Sequence, residues 1–237
     1  MAQMDNEQCA YFLKRLREAR YAVLEDAENF TDICFVLEEI GLVLYQEKKL
    51  GLHHYKDKLI SLIGHQKLKQ TAFKAYFDKL VQVRNEKSHQ GVYSRNAAQY
   101  AVKISIILEE YFMSNLTELR HIMIDNVIFA EENMSLAKIR ELMLRYSFSY
   151  LPYKSDGQYY LLSDSYIAQL WHKSKNDNEK YVNEIRNLIK LDKLDKIKLY
   201  EFNKQFNDKF EIPDKPILIY QNNQNNIVGI LTPFDFL

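Results

Sequence analysis

Proline, glycine, cysteine and net charge are all scarce in this 237-residue chain, and each shortage excludes something. The four prolines lie beyond residue 150, so nothing breaks a helix in the first 150 residues, and long uninterrupted helices are allowed there. Two cysteines, Cys9 and Cys34, are too few for a disulfide framework, and no C-x-x-C spacing suggests zinc. Thirty-two Lys and Arg balance 32 Asp and Glu, which leaves no global charge to attract a polyanion. No apolar run approaches the ~20 residues of a membrane span, and the polar N-terminus lacks the apolar core of a signal peptide. P-loop, Rossmann-glycine and G-x-S-x-G spacings do not occur. Hydrophobic residues at 47% and aromatics at 13% are plentiful, which rules out a disordered chain. The expectation is a soluble, cytoplasmic, globular protein of one large or two small domains.

Periodicity divides the chain. Leu13, Leu16, Arg20, Val23, Leu24 and Ala27 form one helical stripe, and Ile33, Val36, Leu37, Ile40 and Leu44 form another. Helices are also predicted over 55–63, 66–85 and 96–113, the last with Ala97, Ala101, Ile104, Leu108 and Phe112 on one side. Beyond about residue 125 the texture changes. Residues 126–130 read as a short strand, and Ser135 caps a helix carrying Leu136, Ile139, Leu142 and Met143. Strands at 150–153 and 159–162 flank the turn Ser155-Asp156-Gly157, and a helix covers 165–171. After a Lys- and Asn-rich insertion over 172–195, the order recurs: helix 198–210, strand 216–220, polar turn 221–226, strand 227–231. The predicted fold class is α+β, with an N-terminal antiparallel helical bundle over residues 1–120 and a duplicated α/β module over 121–237.

The segment Ile227-Val-Gly-Ile-Leu-Thr-Pro-Phe-Asp-Phe-Leu237 resembles the closing motif of a CBS (cystathionine β-synthase-type) repeat. A hydroxyl at Thr232 and a carboxylate at Asp235, at a strand-to-helix junction, suit a ribose and phosphate, with the helix N-terminus favouring the anion. The bland alternative is a helix cap with no ligand. Residues 216–220 match the usual first strand of such a repeat. In the first repeat Ser163 replaces the Thr, while Tyr160 stands at the glycine position and Tyr166 at the acidic one. The resemblance implies a CBS pair that binds an adenine-type nucleotide as a regulatory ligand through Ile217, Thr232, Asp235 and Ser163. A third option is a degenerate pair that serves only for dimerisation.

The N-terminal half carries Arg84-Asn-Glu-Lys-Ser-His89, placed between two long helices. This arrangement resembles a HEPN domain, whose active members are metal-independent ribonucleases with an R-x4-6-H motif. The resemblance implies Arg84, Asn85 and His89 as catalytic residues, single-stranded RNA as substrate, and a homodimer with facing motifs. His89 would act as general base or acid, Arg84 would hold the scissile phosphate, and Asn85 would hold a partner by hydrogen bonding. An internal 2′-hydroxyl nucleophile needs no metal and no cofactor. On a continuous helix, positions five apart point about 140° away from each other, so convergence needs a helix end between them or a second subunit. The structural alternative pairs Arg84 with a glutamate and leaves His89 as a C-terminal helix cap.

Charge distribution points the same way. Residues 18–47 hold eight acidic side chains and one basic one, whereas residues 48–103 hold twelve Lys and Arg against three acids. Such a basic window supplies sequence-independent phosphate affinity, and Tyr76, Phe77, Tyr93 and Tyr100 within it are candidates to stack on unpaired bases. The pair His53-His54 does not share a helix face, and His65, His121 and His172 have no partners in register, so no metal site is expected. The functional expectation is a metal-independent endoribonuclease of toxin or defence type, regulated by an adenine-type nucleotide. The alternative is a non-catalytic nucleotide-sensing module that engages a partner protein.

Overall fold

The computed structural model describes residues 4–45, 50–64, 66–85, 91–207 and 209–237. The chain is α+β, with a helical N-terminal region and a sheet-bearing C-terminal region. It divides into two compact units, Met1–Thr117 and Glu118–Leu237. Among the described residues no helix is long and apolar enough to cross a membrane.

The first unit contains α1 (Asn6–Glu25), α2 (Phe30–Leu44), α3 (Lys56–Leu62), α4 (Lys67–Asn85) and α5 (Gly91–Ser114). A reciprocal cap starts α1. Asp5 Oδ1 accepts from the Gln8 N–H at 2.8 Å, and Gln8 Oε1 accepts from the Asp5 N–H at 3.2 Å. Helix α5 is central and packs against α1, α2 and α4. Its face of Ala97, Ala101, Ile104, Leu108 and Phe112 is fully buried, as the periodicity predicts. On α1 the stripe stops earlier than expected. Leu24 is exposed because the helix ends at Glu25 and the chain turns through Ala27–Asn29. Arg20, in the middle of that stripe, is buried with a partner: Nε and Nη2 donate to the two Glu109 oxygens at 2.8 and 3.0 Å.

Gly41 of α2 lies directly against the buried Tyr55 ring, and a Cβ built at position 41 would clash with it, 2.6 Å from the ring's Cδ1. Alanine gains about 1 kcal/mol of helix propensity over glycine, but displacing a packed aromatic costs about 1–3 kcal/mol. Gly41→Ala is therefore expected to lower the midpoint of thermal unfolding. A raised midpoint would show that Tyr55 swings away freely.

The second unit contains α6 (Leu136–Tyr146), β1 (Tyr150–Ser155), β2 (Gln158–Ser163), α7 (Asp164–Lys173), β3 (Asp195–Lys196), β4 (Leu199–Glu201), β5 (Ile217–Tyr220) and β6 (Ile227–Leu231). They form two three-stranded sheets, ordered β1-β2-β3 and β4-β5-β6. The β1–β2 hairpin turns on Asp156 and Gly157, both at positive φ (51° and 73°), as a tight two-residue turn requires. Strand β2 is buried on both faces, which explains its unbroken Tyr-Tyr-Leu-Leu run. Tyr160 and Leu162 join the core with α6 and α7, while Tyr159 and Leu161 face Leu218 of β5.

Three expectations need correction. Residues 126–130 form no strand. Ala130 makes one parallel bridge to Tyr153, its N–H donating to the Pro152 carbonyl at 2.7 Å. Extending that ladder towards Ile128 needs an N–H from Pro152, which has none. Residues 198–210 are not a helix. Residues 199–201 pair in parallel with β5, and the aromatics spaced like a helical stripe gather instead around Phe236, with the Phe206 and Phe210 rings 6.0 and 5.6 Å from it. Strand pairing plus ring packing outweighs the weak helical preference of that segment. Residues 172–195, read as a Lys- and Asn-rich insertion between the repeats, are part of the first repeat's core. Ile185 within them is fully buried against the α6 and β1–β2 core, with Leu188 and Ile189 packed beside it. The duplicated order of elements is accordingly incomplete in the second repeat.

Candidate functional site

Arg84 occupies the last turn of α4. Its Nη1 donates to Glu38 Oε1 of α2 at 2.6 Å, both side chains being about a quarter exposed (28% and 27%). Beside the pair lies Cys34, whose thiol burial pushes up to about 12; the Arg84 charge opposes the shift and Glu38 adds to it. A thiol so placed stays protonated and is no nucleophile. Asn85 closes α4 at the backbone level, and His89 lies outside the described residues. Arg84 thus has the glutamate partner that the structural alternative anticipated.

The candidate stacking aromatics separate. Phe77 is fully buried in the helical core and is unavailable to a base. Tyr76 and Tyr100 stack on each other with centroids 6.2 Å apart, and Lys103 Nζ lies 5.0 Å from the Tyr76 ring. Tyr93 belongs to the first turn of α5. The His53 and His54 rings lie 4.9 Å apart, and among the described residues no group of three or more His, Cys, Asp or Glu is placed to hold a metal.

In the second unit the four residues implied as ligand contacts sit in different surroundings. Ile217 opens β5 opposite Leu231 and is buried. Asp235 is also buried, and its Oδ2 accepts from Thr232 N–H at 2.7 Å and from Thr232 Oγ1 at 2.8 Å. That reciprocal cap starts the single turn Pro233–Phe236. Gly229 faces Met123, whose side chain takes the space of a Cβ. Ser163 differs. It ends β2 and caps α7, its Oγ accepting from the Tyr166 N–H at 3.1 Å and lying 2.9 Å from Ser165 Oγ.

Ser163 also borders a cleft of about 430 Å³ whose other polar walls are Ser165, Tyr166, Gln169, Lys173, Lys190 and Lys193. Tyr166 Oη there accepts the Lys190 backbone N–H at 3.0 Å. At the opposite end of β2 a larger cleft of about 770 Å³ mixes Glu131, Glu132 and Asp156 with Lys154 and Arg186 over Phe129 and Tyr159. Ile217, Thr232 and Asp235 line neither cleft.

Residues 119–160 match the CBS domain family model. The CBS match spans α6, β1 and the first half of β2, so it falls on the first repeat. The closing segment 227–237, where the sequence resemblance was sharpest, lies outside it. Among solved structures, the chain is similar to a crystal structure of Hypoxic Response Protein I with two coordinated zinc ions. Identity is 18% and the TM-score 0.36, over 51% of this chain and 96% of that one. A search of curated proteins returned no match.

Sequence reading missed the three lysines of the smaller cleft because all three lie in the supposed insertion over 172–195. The available signal was Tyr166 in the acidic position, which removes a negative charge from the start of α7.

Proposed function

We propose that the C-terminal unit is a nucleotide-sensing regulatory module and that the helical unit is its effector. The observation that carries the sensing half is the CBS match over residues 119–160, next to a polar cleft whose volume falls in the ~300–1,000 Å³ range of small-molecule sites. The ligand assigned is an adenine-type nucleotide bound beside Ser163 at the start of α7. For this chain Ser163 is the better placed of the candidate hydroxyls, because the Thr232 hydroxyl already donates to Asp235.

For the effector half, the proposal is a metal-independent endoribonuclease of HEPN type, acting on single-stranded RNA as a homodimer. Support comes from the Arg84-Asn85-x-x-x-His89 spacing and from Arg84 itself, a partly exposed guanidinium held at the end of α4 by Glu38. In the reaction, His89 takes the proton of a ribose 2′-hydroxyl and the oxygen attacks the adjacent phosphorus. The 5′-oxygen leaves as its bond to phosphorus breaks, taking a proton from water, and a 2′,3′-cyclic phosphate remains. Arg84 exchanges Glu38 for the phosphate and stabilises the charge growing on it.

The test is cleavage of labelled single-stranded RNA in EDTA by the wild type, Arg84→Ala and His89→Ala, with and without adenine nucleotides. The expected result is cyclic-phosphate product from the wild type and a loss of at least about 100-fold in each variant. Absence of cleavage under every condition would leave the rival assignment, a nucleotide sensor that acts on a partner protein without catalysis.

A further inference from the structure

We infer that the cleft beside Ser163 selects its ligand by the phosphates and is built for a polyphosphate chain. This rests on the nucleotide-sensing reading and names the chemical class recognised at that site. Three ammonium groups, Lys173, Lys190 and Lys193, line about 430 Å³ together with the Ser163 and Ser165 hydroxyls, and no carboxylate shares the lining. None of the three lysines makes an ion pair among the described residues. Lys138 and Lys215 of the same unit, by contrast, have Glu141 and Asp195. Three unpaired like charges around one cleft repel each other, and a bound anion relieves that repulsion.

The lysines are also presented on fixed backbone. Lys173 ends α7, while Lys190 and Lys193 ride on a segment anchored by the buried Ile185 and by the Lys190 N–H donating to Tyr166 Oη. Tyr166 therefore performs two roles at the position where the resemblance expects an acid. It adds no carboxylate to the cleft lining, from which Asp164 in the first turn of α7 is also absent, and it ties down the strip that carries two of the cations. A ribose-binding carboxylate is missing here, so recognition passes to the phosphates. A triphosphate carries more negative charge than a monophosphate to set against three ammonium groups.

The experiment titrates the whole protein with tripolyphosphate, ATP, AMP and adenosine, following thermal unfolding and the fluorescence of Trp171. This is the chain's single tryptophan, and it neighbours Leu170 of the cleft wall on α7. Wild type is compared with Lys190→Ala/Lys193→Ala and with Lys190→Arg/Lys193→Arg. Expected are stabilisation by tripolyphosphate and ATP, at least about tenfold weaker binding of AMP, and no response to adenosine. The alanine pair should weaken triphosphate binding at least about tenfold and reduce its salt dependence, and the arginine pair should retain it.

ATP binding more tightly than tripolyphosphate supports the proposal and identifies a nucleotide as the source of the phosphates. Tripolyphosphate binding without ATP binding supports phosphate selection and counts against nucleotide sensing. Equal binding of AMP and ATP that is indifferent to the lysines overturns phosphate selection and leaves nucleotide sensing standing. Binding of none of the four probes overturns both.

Discussion

Glu109→Ala is expected to destabilise the protein by about 3–5 kcal/mol, a loss read from urea unfolding followed by helical circular dichroism. Glu109 of α5 receives two hydrogen bonds from Arg20 and one from Ser105 Oγ at 2.7 Å, with Arg17 Nε 3.9 Å away. The side chains of Arg20 and Glu109 are only 11% and 12% exposed, so water cannot replace what alanine removes. The Glu109 hydrogen bonds raise the Arg20 pKa in the wild type, and without them a guanidinium still stays protonated, so Arg20 cannot escape by losing its proton. Glu109→Ala therefore leaves a buried, permanently charged guanidinium without its carboxylate, while Ser105 Oγ retains only its 3.4 Å hydrogen bond to the Leu16 carbonyl.

The cost comes from breaking the pair, not from the pair's own net worth, and the double variant separates the two. Arg20→Met/Glu109→Leu removes both charges and should be near neutral or better. The exposed pair Arg15–Glu39, at 39% and 38%, provides the contrast, since its loss should cost about 1 kcal/mol or less. A Glu109→Ala cost no larger than that would show that water reaches Arg20.

Ile185→Ala is expected to cost about 2–5 kcal/mol, within the range for emptying a fully buried isoleucine site. Nothing in the surrounding sequence, Lys- and Asn-rich from 172 to 195, announces such an effect. The structure does. Ile185 is completely buried, and its N–H donates to the Met134 carbonyl at 2.7 Å, joining this segment to the start of α6. Val182, three residues earlier and 69% exposed, is the control, and Val182→Ala should change stability by about 0.5 kcal/mol or less. If both variants unfold at the same denaturant concentration, the segment is a surface loop and its lysines are not held in place. Ile185→Ala should also weaken tripolyphosphate binding, because Lys190 and Lys193 lie on the strip that it anchors.

The contrast between these two sites shows where sequence reading works. Helix α5 was legible because its buried residues recur every three or four positions over more than four turns, and no local alternative competes with that pattern. The hairpin at Asp156-Gly157 was legible because its positive φ values narrow the residues that fit. The 198–210 segment shows a helical spacing of aromatics too, but over a short stretch, where pairing with β5 was available and stronger. Arg84 was legible as a residue that seeks an anion, yet Glu38 lies 46 positions away and no spacing rule connects them. Thr232 and Asp235 were legible as a pair in contact, since three residues at a helix start bring them together; that the carboxylate is buried follows only from the packing around it.

The sequence by itself determined the helical character of the first unit, the strand–turn–strand of β1 and β2, and the cap at the end of the chain. Each depends on residues within a few positions of one another, where backbone geometry alone decides which side chains meet. Tertiary structure decided the bidentate partner of Arg20, the glutamate at Arg84, and the gathering of Lys173 with Lys190 and Lys193 into one cleft without a carboxylate. Those arrangements depend on which distant surfaces exclude water together. For the cleft, the deciding contact is Ile185 entering the core and carrying an otherwise polar segment back over α7.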